Sequence, residues 1–318
     1  PGTWPSGNPM QEYRGIQLML KEAHLQYDII EDAQIEARAE ALKNYKIIIL
    51  PDITYLSEKA INQLKIASKN GTNLIATNGS FSDNPIALKE LFGAEIIKKD
   101  YEGTGNYLAI DSPQIFKRLK GQTMIHWKFN LGQYKFTEVH SQNLPILAKG
   151  RPGPPELIGG HDQTDYFAMG LKNYGRSQNV LLPINIGKLY YIHGYEQNKN
   201  ILLDIIQHLE EEVLNDLKTD AHPRVEVILK EFTFNDGSDR KTPNGLILHL
   251  INLTGFSGNT YFEPLPIQQI QFKIKNTIAP KKAYLLNTKK TIIFTQKDGY
   301  VSFILPKLTD YEAIVFEN

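Results

Sequence analysis

The turn Thr77-Asn78-Gly79-Ser80-Phe81-Ser82-Asp83 places a serine where a buried strand should bend sharply toward a helix. An α/β fold can present a strained nucleophile from such a place. The full Gly-x-Ser-x-Gly pattern is not met, because position 82 is Ser. A serine nucleophile also needs a base. His193, in Tyr191-Ile192-His193-Gly194-Tyr195-Glu196, is the candidate, with Glu196 close behind it. The plainer reading of Ser80 is a capping hydroxyl in a polar turn. A second constellation is Gly159-Gly160-His161-Asp162-Gln163-Thr164-Asp165. Its His161, Asp162 and Asp165 are candidates for a divalent ion, although no second His stands at ligand spacing and an exposed polar loop is the plainer reading. The third is aromatic. Trp4, Trp127, Tyr190, Tyr191 and Tyr195 could stack on sugar faces, and Trp127 and Tyr195 are the candidate carbohydrate contacts. The alternative for each is a place in a core or an interface.

Other chemistries are excluded by residue type. The chain has no cysteine, which removes disulfides, thiolate metal sites, iron–sulfur clusters and Cys nucleophiles together. Gly103-Thr104-Gly105-Asn106 lacks the third glycine of a dinucleotide loop, and there is no Walker phosphate loop, so no cofactor is expected. The sequons Asn78-Gly79-Ser80 and Asn252-Leu253-Thr254 carry meaning only in a eukaryotic secretory setting. Glycoside cleavage needs two carboxyl groups about 5–10 Å apart, and nothing here follows the barrel whose strand ends usually supply them.

These residues must be positioned by elements of two kinds. In the first two-thirds, periods alternate. Tyr13, Ile16, Leu20 and Ala23 stand at helical spacing, and Tyr27–Ile30 reads as a short strand. Ala33–Lys43 reads as a helix through Ile35, Ala39 and Leu42. Lys46–Leu50 is a continuous apolar strand of the kind buried on both faces of a parallel sheet. Ser57 caps a helix with the stripe Ile61, Leu64 and Ala67, and Asn70-Gly71 ends it. Asn73–Thr77 is the next buried strand, and Pro85–Phe92 a short helix. This order implies a mainly parallel sheet. Residues 94–170, rich in Gly, Pro and polar side chains, read as a long insertion at the sheet's edge or carboxyl side. It holds an antiparallel pair, Thr123–Phe129 with Tyr134–Val139, and the rigid loop Arg151–Pro155. Asn179–Leu182 and Gly187–Ile192 read as strands, and Asn198–Leu214 as a long helix.

From about Asp216 the period becomes two, in Val225/Val227/Leu229, Leu246/Leu248/Leu250, Ile270/Phe272/Ile274, Val301/Phe303/Leu305 and Ile314/Phe316. Ala283–Leu286 and Thr291–Phe294 fill the gaps, and turns such as Asn235-Asp236-Gly237 and Asp298-Gly299 separate the segments. About seven such strands make an antiparallel sandwich. The expected organisation is an α/β domain over residues 1–215 and a β-sandwich over 216–318, joined by a linker at 215–223.

The length of 318 residues fits about two domains at roughly 150 residues each. Basic and acidic side chains number 35 each, and residues 216–318 hold 13 and 11 of them. Neither part has the one-signed charge that neutralises nucleic acid or docks on acidic lipid. The longest aliphatic run, Ile47–Leu50, is far too short to span a bilayer. Neither a nucleic-acid nor a membrane partner is therefore expected. The chain opens Pro1-Gly2 without an initiator Met or a signal-peptide pattern, which suggests a piece of a longer protein.

Residues 46–93 carry a resemblance. Lys46-Ile47-Ile48-Ile49-Leu50-Pro51-Asp52 leads to Leu56-Ser57, then Gly71-Thr72-Asn73-Leu74-Ile75-Ala76-Thr77, then Leu91-Phe92-Gly93. The segment resembles the glutamine-amidotransferase-like domain of bacterial glycoside hydrolases, best known as the trimerisation domain of one beta-galactosidase family. Residues 175–199, with Gly175-Arg176 and Leu182-Pro183-Ile184-Asn185-Ile186-Gly187-Lys188-Leu189-Tyr190, resemble the closing part of that domain. His249–Gly255 and Tyr311–Glu317 resemble the β-sandwich that follows it. The resemblance implies a Rossmann/flavodoxin-like sheet followed by an antiparallel sandwich. It also implies a catalytic (β/α) barrel upstream in the same protein, trimerisation, and a secreted or periplasmic location. Two departures stand out. True glutamine amidotransferases use an elbow Cys with His and Glu, whereas here Ser80 is nearest the elbow and His193 with Glu196 only loosely matches the partners. Residues 1–10 offer no counterpart to the family's first strand. The expectation is an accessory region without catalysis of its own, whose partners are the upstream domain, sister subunits and carbohydrate. A small hydrolase using Ser80 and His193, or a carbohydrate-binding module, is the alternative.

Overall fold

The computed structural model describes residues 9–37, 42–101, 106–127, 131–147, 163–233, 244–275 and 277–318. Trp4, His161, Asp162, the Arg151–Pro155 loop, Gly103–Gly105 and the Asn235–Gly237 turn lie outside them. The described residues form two units. The first takes those up to Met19 together with Ile29–Glu211, and the second takes Leu20–Asp28 together with Glu212–Asn318.

The first unit takes helix α1 (Pro9–Glu22) as far as Met19, and a short α2 (Asp32–Ala37). Strand β1 (Ile47–Pro51) lies parallel to β2 (Asn73–Thr77), which lies parallel to β9 (Ser177–Leu182). Helix α3 (Glu58–Lys69) connects β1 to β2 as its sequence predicts. Ser57 Oγ accepts the N–H of Ala60 at 3.1 Å, and Ala60, Ile61, Leu64 and Ala67 are buried. Helix α4 (Pro85–Phe92) starts on a proline, whose missing N–H costs nothing there, and stops at Gly93 in the left-handed conformation. Leu64, Leu74, Leu88, Leu91, Phe92 and Leu181 form the centre of its core.

The stretch read as an insertion adds strands to one edge of the sheet. Its strands are β3 (Ala94–Tyr101), β4 (Asn106–Ala109), β5 (Met124–Trp127), β6 (Leu131–Phe136) and β7 (Ser141–Leu147), followed by β8 (Gln163–Tyr174). The main sheet runs β1-β2-β9-β8-β7-β4-β5, and β3 with β6 forms a separate ribbon. Only β1, β2 and β9 are parallel; the pairings from β9 outward to β5 are antiparallel. The sheet is thus mixed rather than mainly parallel. Antiparallel neighbours need no helical crossover, so the stretch supplies strands where helices would otherwise intervene. The expected hairpin of 123–129 with 134–139 does not form. Met124–Trp127 pairs with β4, and β6 pairs with β3.

Gly187–Ile192, read as a strand, is helix α5 (Ile186–His193), closed by Gly194 in the left-handed conformation. Its buried residues Ile186, Leu189 and Tyr190 recur at helical spacing, and this outweighs the strand preference of Tyr and Ile. Helix α6 (Glu196–Leu209) follows and gives way to a 3-10 turn over Glu211–Asn215 rather than running to Leu214.

The second unit is a pair of four-stranded antiparallel sheets. One runs β10-β13-β16-β15 and the other β11-β12-β17-β14. The strands are β10 (Leu217–Thr219), β11 (Val225–Phe232), β12 (Gly245–Asn252), β13 (Ile267–Lys275), β14 (Lys282–Leu285), β15 (Phe294–Lys297), β16 (Tyr300–Leu308) and β17 (Tyr311–Glu317). Period-two alternation points Leu246, Leu248 and Leu250 of one sheet and Ile270, Phe272 and Ile274 of the other into one core. Phe272 stacks on Phe303 at 5.1 Å, and Phe303 meets Phe316 of the opposite sheet at 5.3 Å.

Residues 27–30 form no strand. The segment Leu20–Asp28 instead covers β11 through side chains. Gln26 Nε2 donates to Val227 O at 3.0 Å while Gln26 Oε1 accepts from Leu229 N at 2.8 Å. Lys21 pairs with Glu226 and Asp28 with Lys230. One amide thus does for an edge strand what a neighbouring backbone would do, which blunts an otherwise open edge. Among the described residues no helix is long and apolar enough to cross a membrane.

Candidate functional site

The carboxyl ends of parallel strands are where an α/β sheet opens a crevice for ligands. Here β1, β2 and β9 end together. The chain leaves β1 through Asp52 and β2 through Asn78, both at positive φ (57° and 50°), and Phe81 three residues on has φ 62°. Left-handed backbone at three residues that are not glycine is strain held by the surroundings. Those surroundings are visible. Asn78 N donates to Leu182 O at 2.8 Å, tying the end of β2 to the end of β9. Asp52 Oδ1 accepts the N–H of Gly79 at 3.0 Å, and the Asn78 side chain bonds to the same carboxyl group. Burial pushes the Asp52 pKa up; the Asn78 and Gly79 hydrogen bonds and the charge of Lys188 only partly oppose it. Tyr134 donates its hydroxyl to Asn78 O at 3.4 Å. Burial and the nearby Asp52 charge raise the pKa of that phenol.

Glu12 enters from α1 and is 1% exposed. Its Oε2 accepts the N–H of Lys188 at 2.7 Å, and Gly187 offers a second backbone N–H. Burial raises its pKa from the ordinary 4.5 to about 7; the hydrogen bonds pull it down and the charge of Asp52 pushes it further up. The Thr77 hydroxyl lies close enough to favour the carboxylate, yet neither its oxygen nor Glu12 Oε1 closes a well-aligned hydrogen bond. The close approach has a simple cause. A Cβ on Gly15 would lie 1.7 Å from Gly187 O, and one on Gly187 would lie 2.2 Å from Glu12 O. Two glycines let α1 and α5 touch backbone to backbone, and that contact brings Glu12 to the first turn of α5.

Ser80 is fully buried. Its Oγ lies 2.8 Å from Leu50 O and 2.7 Å from Thr77 O, and it accepts from Ile53 N at 3.0 Å. The three partners are backbone groups, and the hydroxyl proton is committed to carbonyls rather than to an imidazole. His193 ends α5, about 10 Å along the helix from the residues that face the strand ends, at 1.5 Å per residue. Its ring stacks on Tyr195 at 5.1 Å. Glu196 is exposed at the start of α6. The structure does not join Ser80 to His193. Asp165 is exposed on β8, and among the described residues no group of three His, Cys, Asp or Glu side chains is placed to hold a metal ion. Trp127 is fully buried and donates Nε1–H to Asn185 Oδ1 at 3.1 Å, so it offers no face to a sugar and instead fixes the residue before α5. Tyr195 and Tyr191 are exposed, whereas Tyr190 is buried. The two sequon asparagines, Asn78 and Asn252, spend their side chains on the fold.

The strained seat at the end of β2 is therefore held by Asn78, whose amide is no nucleophile. What the cluster can do is hold a proton on Glu12 beside a second carboxyl at Asp52. Sequence reasoning missed Glu12 because an acidic residue on a helix reads as solvent-facing. Its signal was Gly15 at the next turn, a small residue on the same face.

No protein-family model matches the chain, and no curated protein sequence matches it. Solved structures do. The α-L-fucosidase isoenzyme 2 from Paenibacillus thiaminolyticus superposes with a TM-score of 0.68 at 16% identity, over 95% of this chain and 44% of the enzyme. The beta-galactosidase from Bacillus circulans sp. alkalophilus gives 0.61 at 13% identity, over 100% and 39%. A GH42 beta-galactosidase from G. stearothermophilus gives 0.56 at 16% identity, over 97% and 36%. At these identities the likeness is one of fold. This chain spans less than half the length of each of these glycoside hydrolases.

Proposed function

We propose that the chain is a non-catalytic accessory and oligomerisation region of a glycoside hydrolase. On this reading its first unit is a glutamine-amidotransferase-like domain whose elbow has lost the nucleophile. The observation that carries it is coverage. Nearly all of this chain follows the fold of less than half of several glycoside hydrolases, so both units have counterparts there and the rest of those enzymes has none here. Asn78 in the strained seat and Ser80 bound to carbonyls agree with a fold that scaffolds rather than reacts. Partners on this reading are a catalytic domain of the same protein and sister subunits.

The test uses the 318-residue chain. It should hydrolyse neither nitrophenyl galactosides, fucosides and mannosides nor glutamine, and it should sediment as a trimer. Turnover that persists through purification and disappears in Glu12→Gln or Asn78→Ala would overturn the reading, as would a strictly monomeric chain at high concentration.

A further inference from the structure

The connection between β12 and β13, residues 253–266, is held in shape by its own hydrogen bonds. Asn252, buried at the end of β12, donates through Nδ2 to Leu265 O (2.8 Å) and Thr309 O (2.5 Å). Its Oδ1 accepts from Thr254 N and Thr254 Oγ1 at 3.1 and 2.8 Å. Leu265 N returns a bond to Thr254 Oγ1 at 2.9 Å. Within the loop Phe262 N donates to Gly255 O and Ser257 N to Thr260 O, each at 2.9 Å, and Phe256 and Tyr261 form a bridge. Gly255 leaves no room for a side chain, because a Cβ there would lie 2.1 Å from Phe262 O.

This ordered loop displays what a fold normally hides. Tyr261 is 69% exposed, Phe262 66% and Leu265 71%. The Tyr261 ring is backed by Phe256, with centroids 4.6 Å apart and planes 28° from parallel. The turn that joins Phe256 to Tyr261 carries the exposed polar residues Ser257, Asn259 and Thr260. Glu263 is the one charged residue from 253 to 266. An aromatic face of fixed orientation, in a loop that carries hydroxyl and amide groups and is nearly free of charge, matches an uncharged polyhydroxylated ring. The ring's C–H face stacks on the aromatic and its hydroxyls meet those groups. Because the loop is ordered by bonds it already makes, binding need not order it again.

We propose that residues 253–266 form a binding platform for a neutral pyranose unit of an oligosaccharide, with Tyr261 as the stacking face. The ligand class rests on the carbohydrate setting proposed above. The platform itself is an addition to that reading, and it lies in a loop rather than on the sandwich strands, whose Phe272 and Phe303 are buried. A single small platform binds weakly, with a dissociation constant of about 1 mM.

The experiment titrates the 318-residue chain with β-1,4-galactotetraose, β-1,4-mannotetraose and, as a charged control, a galacturonate oligomer, by calorimetry and by tyrosine fluorescence. At least one neutral saccharide binds. Tyr261→Ala weakens it by about tenfold or more, Phe262→Ala weakens it less, and Ile293→Ala, at an exposed site outside the loop, leaves it unchanged. The substituted side chains are exposed, so melting temperatures should stay at the wild-type value and report an intact fold. No heat from either neutral saccharide at about 20 mM, binding undiminished in Tyr261→Ala, or preference for the charged oligomer would overturn the proposal. So would a loss of self-association in Tyr261→Ala without any saccharide binding, which would make the loop a protein contact. Glycoside turnover by the chain would sink the accessory reading and leave this binding result standing.

Discussion

Glu12 Oε2 stands 2.7 Å from the backbone nitrogen of Lys188, so a carboxyl group of α1 caps the first turn of α5. Two effects meet there. Backbone N–H groups at a helix start favour the anion, and burial favours the neutral acid. Burial prevails, since the pKa rises to about 7.

The first prediction is a pH dependence with a definite sign. In the unfolded chain Glu12 titrates near its ordinary 4.5, and in the folded chain near 7. Below 4.5 both states hold the proton and the stabilisation is complete. As pH rises toward 7 the unfolded chain gives the proton up while the folded chain keeps it, so stability falls by roughly 3 kcal/mol and then levels off. Asp52, also raised, adds in the same direction. Glu12→Gln should flatten the dependence, and thermal melts of both proteins from pH 5 to 8 would show it. Identical slopes would locate the effect elsewhere.

A second prediction concerns the helix contact. Gly15→Ala places a methyl group 1.7 Å from Gly187 O, and the three nearest atoms are all backbone of Gly187, so no rotamer can yield. The helices must separate, and Glu12 must leave Lys188. A loss of about 3 kcal/mol or more is expected in urea unfolding. Alanine in place of Gly194, where no atom lies within 4 Å, should cost far less despite its left-handed backbone.

A third concerns Asp204 on α6. Its carboxylate is buried, accepts from Arg118 Nη1 at 2.5 Å and from Arg118 N at 2.9 Å, and so anchors the 3-10 turn Lys117–Leu119. Asp204→Ala should destabilise by about 1–3 kcal/mol, because the Arg118 backbone N–H loses its acceptor and the half-exposed guanidinium loses its counter-charge. Asp204→Asn keeps an acceptor and should cost less. Equal losses in the two variants would assign the effect to the lost charge alone rather than to the retained acceptor and packing.

How far these features were legible depends on whether their signals are local. Helix α3 could be read to the residue, since Ser57, the Ile61/Leu64/Ala67 stripe and Asn70-Gly71 all act within a few residues of one another. The sandwich strands were legible because one buried face imposes period two. Helix α5 was not, because Leu189-Tyr190-Tyr191-Ile192 is a continuous apolar run of strand-favouring residues; Ile186, Leu189 and Tyr190 held the correct spacing. The pairings β3 with β6 and β4 with β5 are choices among distant partners, which composition does not encode. At the site, Ser80 drew notice by its residue type. Asn78 and Glu12 matter through backbone strain and a helix crossing, and neither is a property of residue type alone.

Gln26 and the strand it covers are 201 residues apart in sequence. A ribosome working at about 5–20 residues per second needs roughly 10–40 s to make that stretch. Throughout that interval the covering segment is already made while β11 is not. Completion of the second unit therefore waits for the carboxyl-terminal third of the polypeptide. A version beginning after Asp28 would emerge with Val227 O and Leu229 N open to pairing with any passing strand.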